Sequence, residues 1–294
     1  MPKQKILILG VTGMLGHSLF KILLASDTYE VYGTARSVIG LDRFFTEDEH
    51  RLIRPFVDAD NIDSIIRALA SVRPDIVINC IGLIKQLPIG NDPLTAITIN
   101  AQLPHRISLI CSSANARLIH ISTDCVFDGQ AGMYTESDTP SPTDLYGRTK
   151  ILGEPTYPHC VTLRTSIIGH ELKDKLGLVE WFLAQKDTVR GYTGAIYSGF
   201  PTVELAKIIK EYVLPNNDLS GLYHVSSEPI SKYDLLHIIK KYYNLTTVVE
   251  PCHDFSCDRS MNSEKFRKLT GYTPSDWDTM VSAMHQDFCS KYNK

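Results

Sequence analysis

The chain lacks the features of several protein classes. None of its apolar runs approaches the about 20 residues that a membrane-spanning helix needs. Its seven cysteines are odd in number and include no CxxC pair, which argues against a disulfide framework or a structural zinc site. The net charge is only −3, so charge gives no reason to expect a nucleic acid or an anionic membrane as partner.

Signals for secretion and for metal binding are also lacking. The basic residues 1–5 precede only a short apolar run, residues 6–9, which is too short for the core of a signal peptide. The ten histidines show neither HxxxH nor HExxH spacing, so no metal is expected. We therefore predict a reduced, cytoplasmic protein.

The sequence does contain a regular alternation of apolar runs and amphipathic stretches over its first 166 residues. The predicted strands are 5–9, 30–34, 52–57, 75–79, 117–121 and 160–164, and the predicted helices are 14–25, 62–72, 93–113 and 146–154. Strands that alternate with helices at this spacing predict βαβ units and a parallel sheet. Continuously apolar strands indicate a sheet covered on both faces. The predicted fold class is therefore α/β, with a Rossmann-type, doubly wound parallel sheet.

The pattern changes after about residue 166. The predicted elements are helices at 201–213, 231–243, 262–270 and 277–292 and a strand at 222–226. No linker rich in Pro, Gly or Ser separates two independent domains. We expect residues 1–166 to form the Rossmann domain and residues 167–294 to form mainly a smaller α/β lobe, with about 200–226 returning to the first domain.

A glycine-rich turn, GVTGMLG, connects the first predicted strand to the first predicted helix. Backbone N–H groups at such a turn, together with the positive end of a helix dipole, can bind a pyrophosphate. The GxxGxxG spacing differs from the GxGxxG fingerprint, and the alternative is a purely structural turn. We interpret it as a dinucleotide site. Its candidate contacts are Gly10, Thr12, Gly13, Met14, Leu15 and Gly16.

Charged residues follow the next two predicted strands. Arg36 follows the second strand, where an acidic residue would favour NAD and an arginine can pair with the 2′-phosphate of NADP(H). The alternative for Arg36 is a solvated surface position. Asp58, followed by Ala59, is placed to meet the adenine edge, while Asp60 or Asn61 can cap the following helix.

Tyr146 and Lys150 form a YxxxK pair, which places both side chains on one helix face. A phenol with a pKa of about 10 is a poor acid at neutral pH, and a neighbouring ammonium would lower that pKa. Tyr146 could then protonate a carbonyl oxygen as hydride arrives. Ser122 and Thr123 end a predicted strand and would bring hydroxyls to the same sheet edge. The alternatives are an ordinary helix face and local capping.

These motifs resemble the extended short-chain dehydrogenase/reductases, and more closely the dTDP-4-dehydrorhamnose reductase group. The residues that carry the resemblance are 10–16, 122–129 (STDCVFDG), 144–150 (DLYGRTK) with Gly153 and Glu154, 163–166, 200–205, 221–224 and 262–266. The STDxVF element is specific for the subgroup, whereas the glycine turn and YxxxK identify only the superfamily.

The resemblance implies a role for each matching residue. Thr123 would orient the substrate carbonyl, Tyr146 would donate the proton and Lys150 would activate it. Asn100 matches a structural asparagine of the family. The implied cofactor is NADPH, with NADH as a second option. Residues implied to line the nicotinamide end are Asn79, Cys80, Ile81, Gly82 and Ser122, together with 164–166.

The implied substrate side is less well matched. Asp124 is an implied substrate contact, and Cys125 replaces the usual tyrosine after it. Arg259 is a candidate for the diphosphate of a sugar nucleotide, and its alternative is a salt bridge to Asp258. Lys85 and Gln86 could meet the sugar or its diphosphate, or lie in a solvated loop.

The resemblance implies an NADPH-dependent reductase of a nucleotide-diphospho-4-keto-6-deoxy sugar, linked to dTDP or UDP, with a C2 hydroxyl or acetamido group. Its product would be a deoxysugar nucleotide for glycan or polysaccharide synthesis. The alternatives are a sugar-nucleotide epimerase and a non-catalytic NADP-binding regulatory subunit like that of methionine adenosyltransferase. A dehydratase is disfavoured because Asp124 has no adjacent Glu. A homodimer through the long helices is an expected assembly.

Overall fold

The computed structural model describes residues 2–173 and 175–292. The strands are β1 (Lys5–Leu9), β2 (Glu30–Thr34), β3 (Ile53–Arg54), β4 (Ile76–Asn79), β5 (Arg117–Thr123), β6 (Cys160–Thr165), β7 (Ile167–Ile168), β8 (Thr188–Tyr197), β9 (Phe200–Pro201), β10 (Gly221–His224), β11 (Ile230–Ser231) and β12 (Val248–Asp258). Within the described residues, no helix has the length and apolarity to cross a bilayer.

The helices lie between these strands and after them. They are α1 (Met14–Leu24), α2 (Glu47–Arg51), α3 (Ile62–Val72), α4 (Pro93–Ala96), α5 (Leu103–Ser113), α6 (Leu145–Leu152), α7 (Leu178–Leu183), α8 (Thr202–Ile208), α9 (Lys232–Tyr242), α10 (Glu264–Thr270) and α11 (Trp277–Tyr292). A π-helical segment, Ile97–Gln102, joins α4 to α5, so the predicted long helix at 93–113 is confirmed as one continuous helical stretch.

Seven strands form a parallel sheet in the order β10-β6-β5-β4-β1-β2-β3. The order reverses between β1 and β4, and ligands of such sheets bind in the crevice beyond the carboxyl ends of the strands at this point. The predicted α/β, Rossmann-type fold class is confirmed.

Side chains of successive strand residues point to opposite faces of this sheet, and both faces are covered. Ile8 packs in a cluster with Leu19 of α1, Leu205 of α8 and Val281 of α11. Its neighbour Leu9 packs in a second cluster with side chains of α3 and α5. Burial on both faces explains why the strands are continuously apolar.

The third strand is shorter than predicted. Only Ile53 and Arg54 pair with β2, whereas residues 52–57 were expected. Pro55 has no N–H to donate to the sheet. Phe56 adopts a φ of 59°, which lies outside the extended region, so the strand ends before it.

A second sheet, β11-β8-β12, lies in the carboxyl-terminal part of the chain, where the sequence predicted loops and helices. Gly191 and Gly194 interrupt the apolar pattern of β8, and Pro251 lies within β12. β12 is an edge strand of this sheet, and edge strands tolerate proline. β10 instead pairs with β6 and so belongs to the large sheet.

Candidate active site

The glycine turn lies between β1 and α1, where the sheet order reverses. Gly10 has a φ of 86°, which is accessible to glycine without strain. A Cβ on Gly16 would clash with the Gly10 carbonyl, lying 2.9 Å from its carbon, so α1 packs closely against the turn. Gly13 is the exposed N-cap of α1 and provides no side-chain cap. The first N–H groups of α1 therefore suit a pyrophosphate.

The three candidate contacts of the turn that carry side chains differ in exposure. Leu15 is buried in the core, while Thr12 and Met14 are half-buried at the rim. On the β4 side, a Cβ on Gly10 would lie 3.1 Å from Cγ1 of Ile81. The turn and the segment after β4 are thus in direct contact, as one binding site requires.

Arg36 and Asp58 are neighbours at the sheet edge. The backbone N–H of Val57 donates to the carbonyl oxygen of Ala35 at 3.1 Å, and Arg36 and Asp58 each follow one member of that pair. Arg36 is exposed, and Asp58 and Ala59 are half-buried. This arrangement suits an adenosine ribose that carries a 2′-phosphate.

Of the two predicted caps of the helix after Asp58, the structure has Asn61. Its side-chain oxygen accepts from the backbone N–H of Asp63 at 3.1 Å, at the start of α3. Asp60 donates its backbone N–H to the Asp58 carboxylate at 3.2 Å. The Asp58 carboxylate is thereby oriented by the backbone that follows it.

Asn100 ties the segment after β4 to α6. Its Oδ1 accepts from Leu83 N–H at 2.9 Å, and its Nδ2 donates to the Leu83 carbonyl oxygen at 3.1 Å and to Thr149 Oγ1 at 3.4 Å. A Cβ on Gly82 would lie 3.9 Å from Nζ of Lys150. The structural role implied for Asn100 is consistent with these contacts.

Cys80 lies at the start of this segment, directly after β4. Burial raises the pKa of its thiol to about 12, so the thiol stays neutral at physiological pH. The Oδ1 of Asn79 accepts from Ile81 N–H at 3.1 Å and holds the turn in place.

Thr123, Tyr146 and Lys150 meet at the carboxyl end of β5. Asp144 caps α6 through Gly147 N–H at 2.8 Å and so sets the start of the helix that carries YxxxK. Tyr146 is half-buried, and its phenol interacts with Thr123, which opposes the rise that burial causes in its pKa. The ammonium of Lys150, 5% exposed, donates to the Ile121 carbonyl oxygen at 2.8 Å.

Burial controls the protonation of this pair. It raises the pKa of the Tyr146 phenol, and the nearby Cys125 adds to the rise. It lowers the pKa of Lys150 to about 8, against the attraction of Glu154. The structure therefore does not support the expected lowering of the Tyr146 pKa by Lys150: burial of the phenol raises this pKa, and the group that opposes the rise is Thr123.

The candidate substrate side lies beyond Thr123. Asp124 is buried, accepts from Thr123 at 3.1 Å, and has a pKa raised by burial. Arg259 donates from Nε to the Phe127 carbonyl oxygen at 2.9 Å and from Nη1 to Sγ of Cys125 at 3.4 Å. These contacts hold the guanidinium beside Asp124 and Cys125, in place of the alternative salt bridge to Asp258.

Lys85 and Gln86 are exposed in the loop after β4. A further cation near Lys85 was missed by sequence reasoning. Lys232 is the first residue of α9 and interacts electrostatically with Lys85 and Asp124. Part of its side chain is exposed, yet desolvation and the like charge of Lys85 lower its pKa. No sequence signal separates such a lysine from an ordinary solvated helix residue.

Ser122 and Arg164 do not join the group formed by Thr123, Tyr146 and Lys150; both bind Glu154. Ser122 donates to Oε1 of Glu154 at 2.6 Å, and Arg164 donates to both oxygens of the same carboxylate. Their expected contact with the nicotinamide stays a prediction. Glu154 itself had no role assigned from the sequence.

Comparison with known proteins agrees with the geometry. Residues 4–290 match the family described as the RmlD substrate binding domain. The chain is 26% identical over 298 residues to the dTDP-4-dehydrorhamnose reductase of Aggregatibacter actinomycetemcomitans, which covers 93% of this chain and 95% of that protein. It is 26% identical over 260 residues to methionine adenosyltransferase 2 subunit beta of Danio rerio, which covers 83% and 75%.

A solved structure shows the same fold. The crystal structure of dTDP-4-dehydrorhamnose reductase from Bacillus anthracis, in complex with NADP, superposes with a TM-score of 0.78 at 21% identity and covers 97% of this chain and 100% of that one. Because the family match extends over nearly the whole described chain, this protein belongs to the RmlD substrate-binding domain family.

Proposed function

We propose that the protein is an NADPH-dependent reductase of a nucleotide-diphospho-4-keto-6-deoxy sugar. The observation that carries this proposal is the meeting of Thr123, Tyr146 and Lys150 at the end of β5, beside the glycine turn. The reductase from Aggregatibacter, 26% identical over nearly its whole length, supports the substrate class.

Cofactor binding is assigned to residues 1–166. The uncapped start of α1 would hold the pyrophosphate, Arg36 the 2′-phosphate and Lys150 the nicotinamide ribose. A bound NADPH supplies a hydride to the substrate carbonyl carbon. An ammonium has three donor hydrogens, and Ile121 takes one of those of Lys150, so donors remain for the ribose.

Tyr146 is the proposed proton donor. Its raised pKa keeps the phenol protonated before reaction but makes it a weak acid, so the proton moves only as the substrate oxygen gains negative charge. As C4 of the sugar gains hydride, its oxygen takes the phenolic proton, and the ketone becomes a secondary alcohol. Thr123 orients that oxygen, and the Lys150 ammonium stabilises the phenolate formed.

Substrate binding is assigned mainly to residues 167–294. Lys232 and Arg259 of this part, together with Lys85 of residues 1–166, bring three cations near Asp124 and Cys125. Two phosphates of a sugar nucleotide would relieve the repulsion between Lys85 and Lys232. Both dTDP- and UDP-linked sugars, with a C2 hydroxyl or acetamido group, carry this diphosphate.

The test is NADPH oxidation with a panel of dTDP- and UDP-linked 4-keto-6-deoxy sugars, including 2-acetamido members. We expect turnover with at least one of them and its loss in Tyr146→Phe, with NADPH binding kept. The matched control is Tyr157→Phe, an exposed tyrosine near the amino end of β5, whereas the site lies at the carboxyl end. Bound NADPH with no turnover across the panel would contradict the proposal.

The second candidate is a non-catalytic regulatory subunit. It is favoured by the similarity to methionine adenosyltransferase 2 subunit beta over 83% of the chain. NADPH binding without turnover, combined with a stoichiometric complex with a methionine adenosyltransferase in sedimentation, would support it. An epimerase would hold NAD tightly, and Arg36 disfavours this reading because an arginine at that position favours NADP over NAD.

We also propose a homodimer through the helices that flank β4 and β5. Leu94, Ile97, Leu109 and Leu152 are apolar and at least two-fifths exposed there. Burial of such side chains against a second copy would remove them from water. A monomer at micromolar concentration in light scattering would contradict the assembly.

The cytoplasmic location of the protein stays a prediction.

A further inference from the structure

Glu154 carries a carboxylate that the proposed reaction does not yet use. It follows α6 by two residues, and its side chain is 7% exposed. Arg164, 4% exposed, donates from Nε to Oε1 at 2.9 Å and from Nη2 to Oε2 at 2.8 Å. Ser122 donates to Oε1 at 2.6 Å. Three hydrogen bonds therefore fix the position of the carboxylate.

Arg164 is itself fixed from other sides. Its Nη1 lies 3.3 Å from Nε2 of His224, whose Nδ1 lies 2.9 Å from the carbonyl oxygen of Tyr134. The guanidinium lies over the Phe127 ring, 5.4 Å from its centre. Arg164 lies on β6 and is held by β10 and by the loop after β5. Because the arginine is fixed, it also fixes the position of the Glu154 carboxylate.

Glu154 lies close in the structure or the sequence to two of the three proposed catalytic residues, Thr123 and Lys150. Ser122, which it binds, directly precedes Thr123. Lys150 lies one helical turn before Glu154, and its ammonium donates to the carbonyl of Ile121, next to Ser122. The end of β5 is therefore held by two contacts, one from Lys150 to Ile121 and one from Ser122 to Glu154.

The other titratable groups that face Lys150 are neutral at physiological pH. Burial raises the pKa of the Cys80 thiol to about 12, lowers that of His120 and raises that of Tyr146. Facing Glu154 are Arg164, His224 and Lys150. Among these described groups, Glu154 supplies the negative charge opposite the Lys150 ammonium.

We propose that Glu154 is a positioning residue for the reaction, which fixes Ser122 beside Thr123 and balances the charge of Lys150. This inference rests on the proposed reductase function. Without the carboxylate, less opposes the desolvation of the ammonium, which then loses its proton at a lower pH. The enzyme would then lose the group that stabilises the phenolate.

The test is an NMR titration of protein labelled with 13C at the lysine side chains, with the Lys150 signal assigned from Lys150→Met. In the wild type we expect Lys150 to titrate at about 8. In Glu154→Gln we expect a lower value, and the alkaline limb of kcat moves down in pH by the same shift. The matched control is Glu180→Gln, a half-buried carboxylate bonded to His170, which leaves the Lys150 titration unchanged.

The outcomes separate this inference from the proposed function. A folded Glu154→Gln protein with an unshifted Lys150 titration overturns the inference, whether or not the wild type turns over sugars. A shifted titration with no wild-type turnover supports the link between Glu154 and Lys150 and contradicts the reductase function. If Glu154→Gln fails to fold, Glu154→Gln with Arg164→Gln leaves no unpaired charge at these two positions. A smaller downward shift of the Lys150 titration is expected there, because losing the Arg164 charge offsets part of the loss of the carboxylate, and the absence of any shift overturns the inference.

Discussion

The ammonium of Lys150 donates a 2.8 Å hydrogen bond to the carbonyl oxygen of Ile121, two residues before Thr123. This contact docks α6 against β5 and fixes the spacing between the proposed proton donor and the hydroxyl that is proposed to orient the substrate. Because Lys150 is buried, its charge state responds to its surroundings, and the acid–base behaviour of the site follows from the packing.

The first prediction concerns Gly16 and Gly13. Gly→Ala in a helix normally stabilises it by about 1 kcal/mol, but a Cβ on Gly16 would clash with Gly10. We expect Gly16→Ala to lower the free energy of unfolding by about 1–3 kcal/mol in urea titrations. Gly13→Ala, whose Cβ would have its nearest protein atom at 3.5 Å, should keep stability and weaken NADPH binding. Equal stability of the two variants would contradict the packing described.

Arg36 should decide between the two nicotinamide cofactors. We expect Arg36→Ala to weaken NADPH binding by about 10–100-fold, since a charge-assisted hydrogen bond contributes about 1.5–3 kcal/mol, and to leave NADH binding nearly unchanged. The measurement is a fluorescence titration with each cofactor. Arg67→Ala, an exposed arginine on α3, is the control. A parallel loss for NADH would show that Arg36 does not contact the 2′-phosphate.

Lys150 should link stability to pH. Its pKa is lowered from an ordinary 10.5 to about 8, so the folded state holds fewer protons than the unfolded state between these values. Below pH 8 the buried Lys150 is charged, and its desolvation lowers the free energy of unfolding in full. As pH rises toward 10.5 the lysine loses its proton, and this loss of stability is relieved. Relative to Lys150→Met, the wild type should gain about 3 kcal/mol across this window. Urea denaturation of both proteins at the two ends of the window measures it, and a constant difference would contradict the shift.

The same pKa predicts the alkaline limb of activity. We expect kcat to fall as pH rises through about 8, because deprotonation removes the charge that stabilises the Tyr146 phenolate. Rates are measured at saturating cofactor, so that a change in binding does not contribute. An activity that stays flat to pH 10 would mean that the ammonium is not required.

Arg164 and Arg51 offer a contrast between a buried and an exposed ion pair. Arg164→Met leaves Glu154 buried and unpaired, and we expect a loss of about 3–5 kcal/mol in the free energy of unfolding. Arg51→Met breaks a pair to Glu47 whose side chains are 68% and 85% exposed, and should cost less than about 1 kcal/mol. Similar losses in the two variants would contradict the buried network.

Much of the fold could be predicted from local patterns. β1 was predicted at residues 5–9 because a continuous apolar run ends at a glycine, and that pattern needs no distant partner. The glycine turn was predicted for the same reason. The sheet formed by β8 and β12 was missed, because Gly191, Gly194 and Pro251 hide strands whose pairing partners lie far along the chain.

The sequence by itself determined the parallel sheet, the glycine turn and the YxxxK helix, since each depends on the periodicity and residue types of a short segment. Only the tertiary structure decided how these groups are charged and held. It joined Glu154 to Ser122 and Arg164, brought Lys232 toward Lys85, and raised the Tyr146 pKa that the YxxxK spacing predicted to fall. The physical reason is that desolvation and buried hydrogen bonds depend on what every other segment packs against the group.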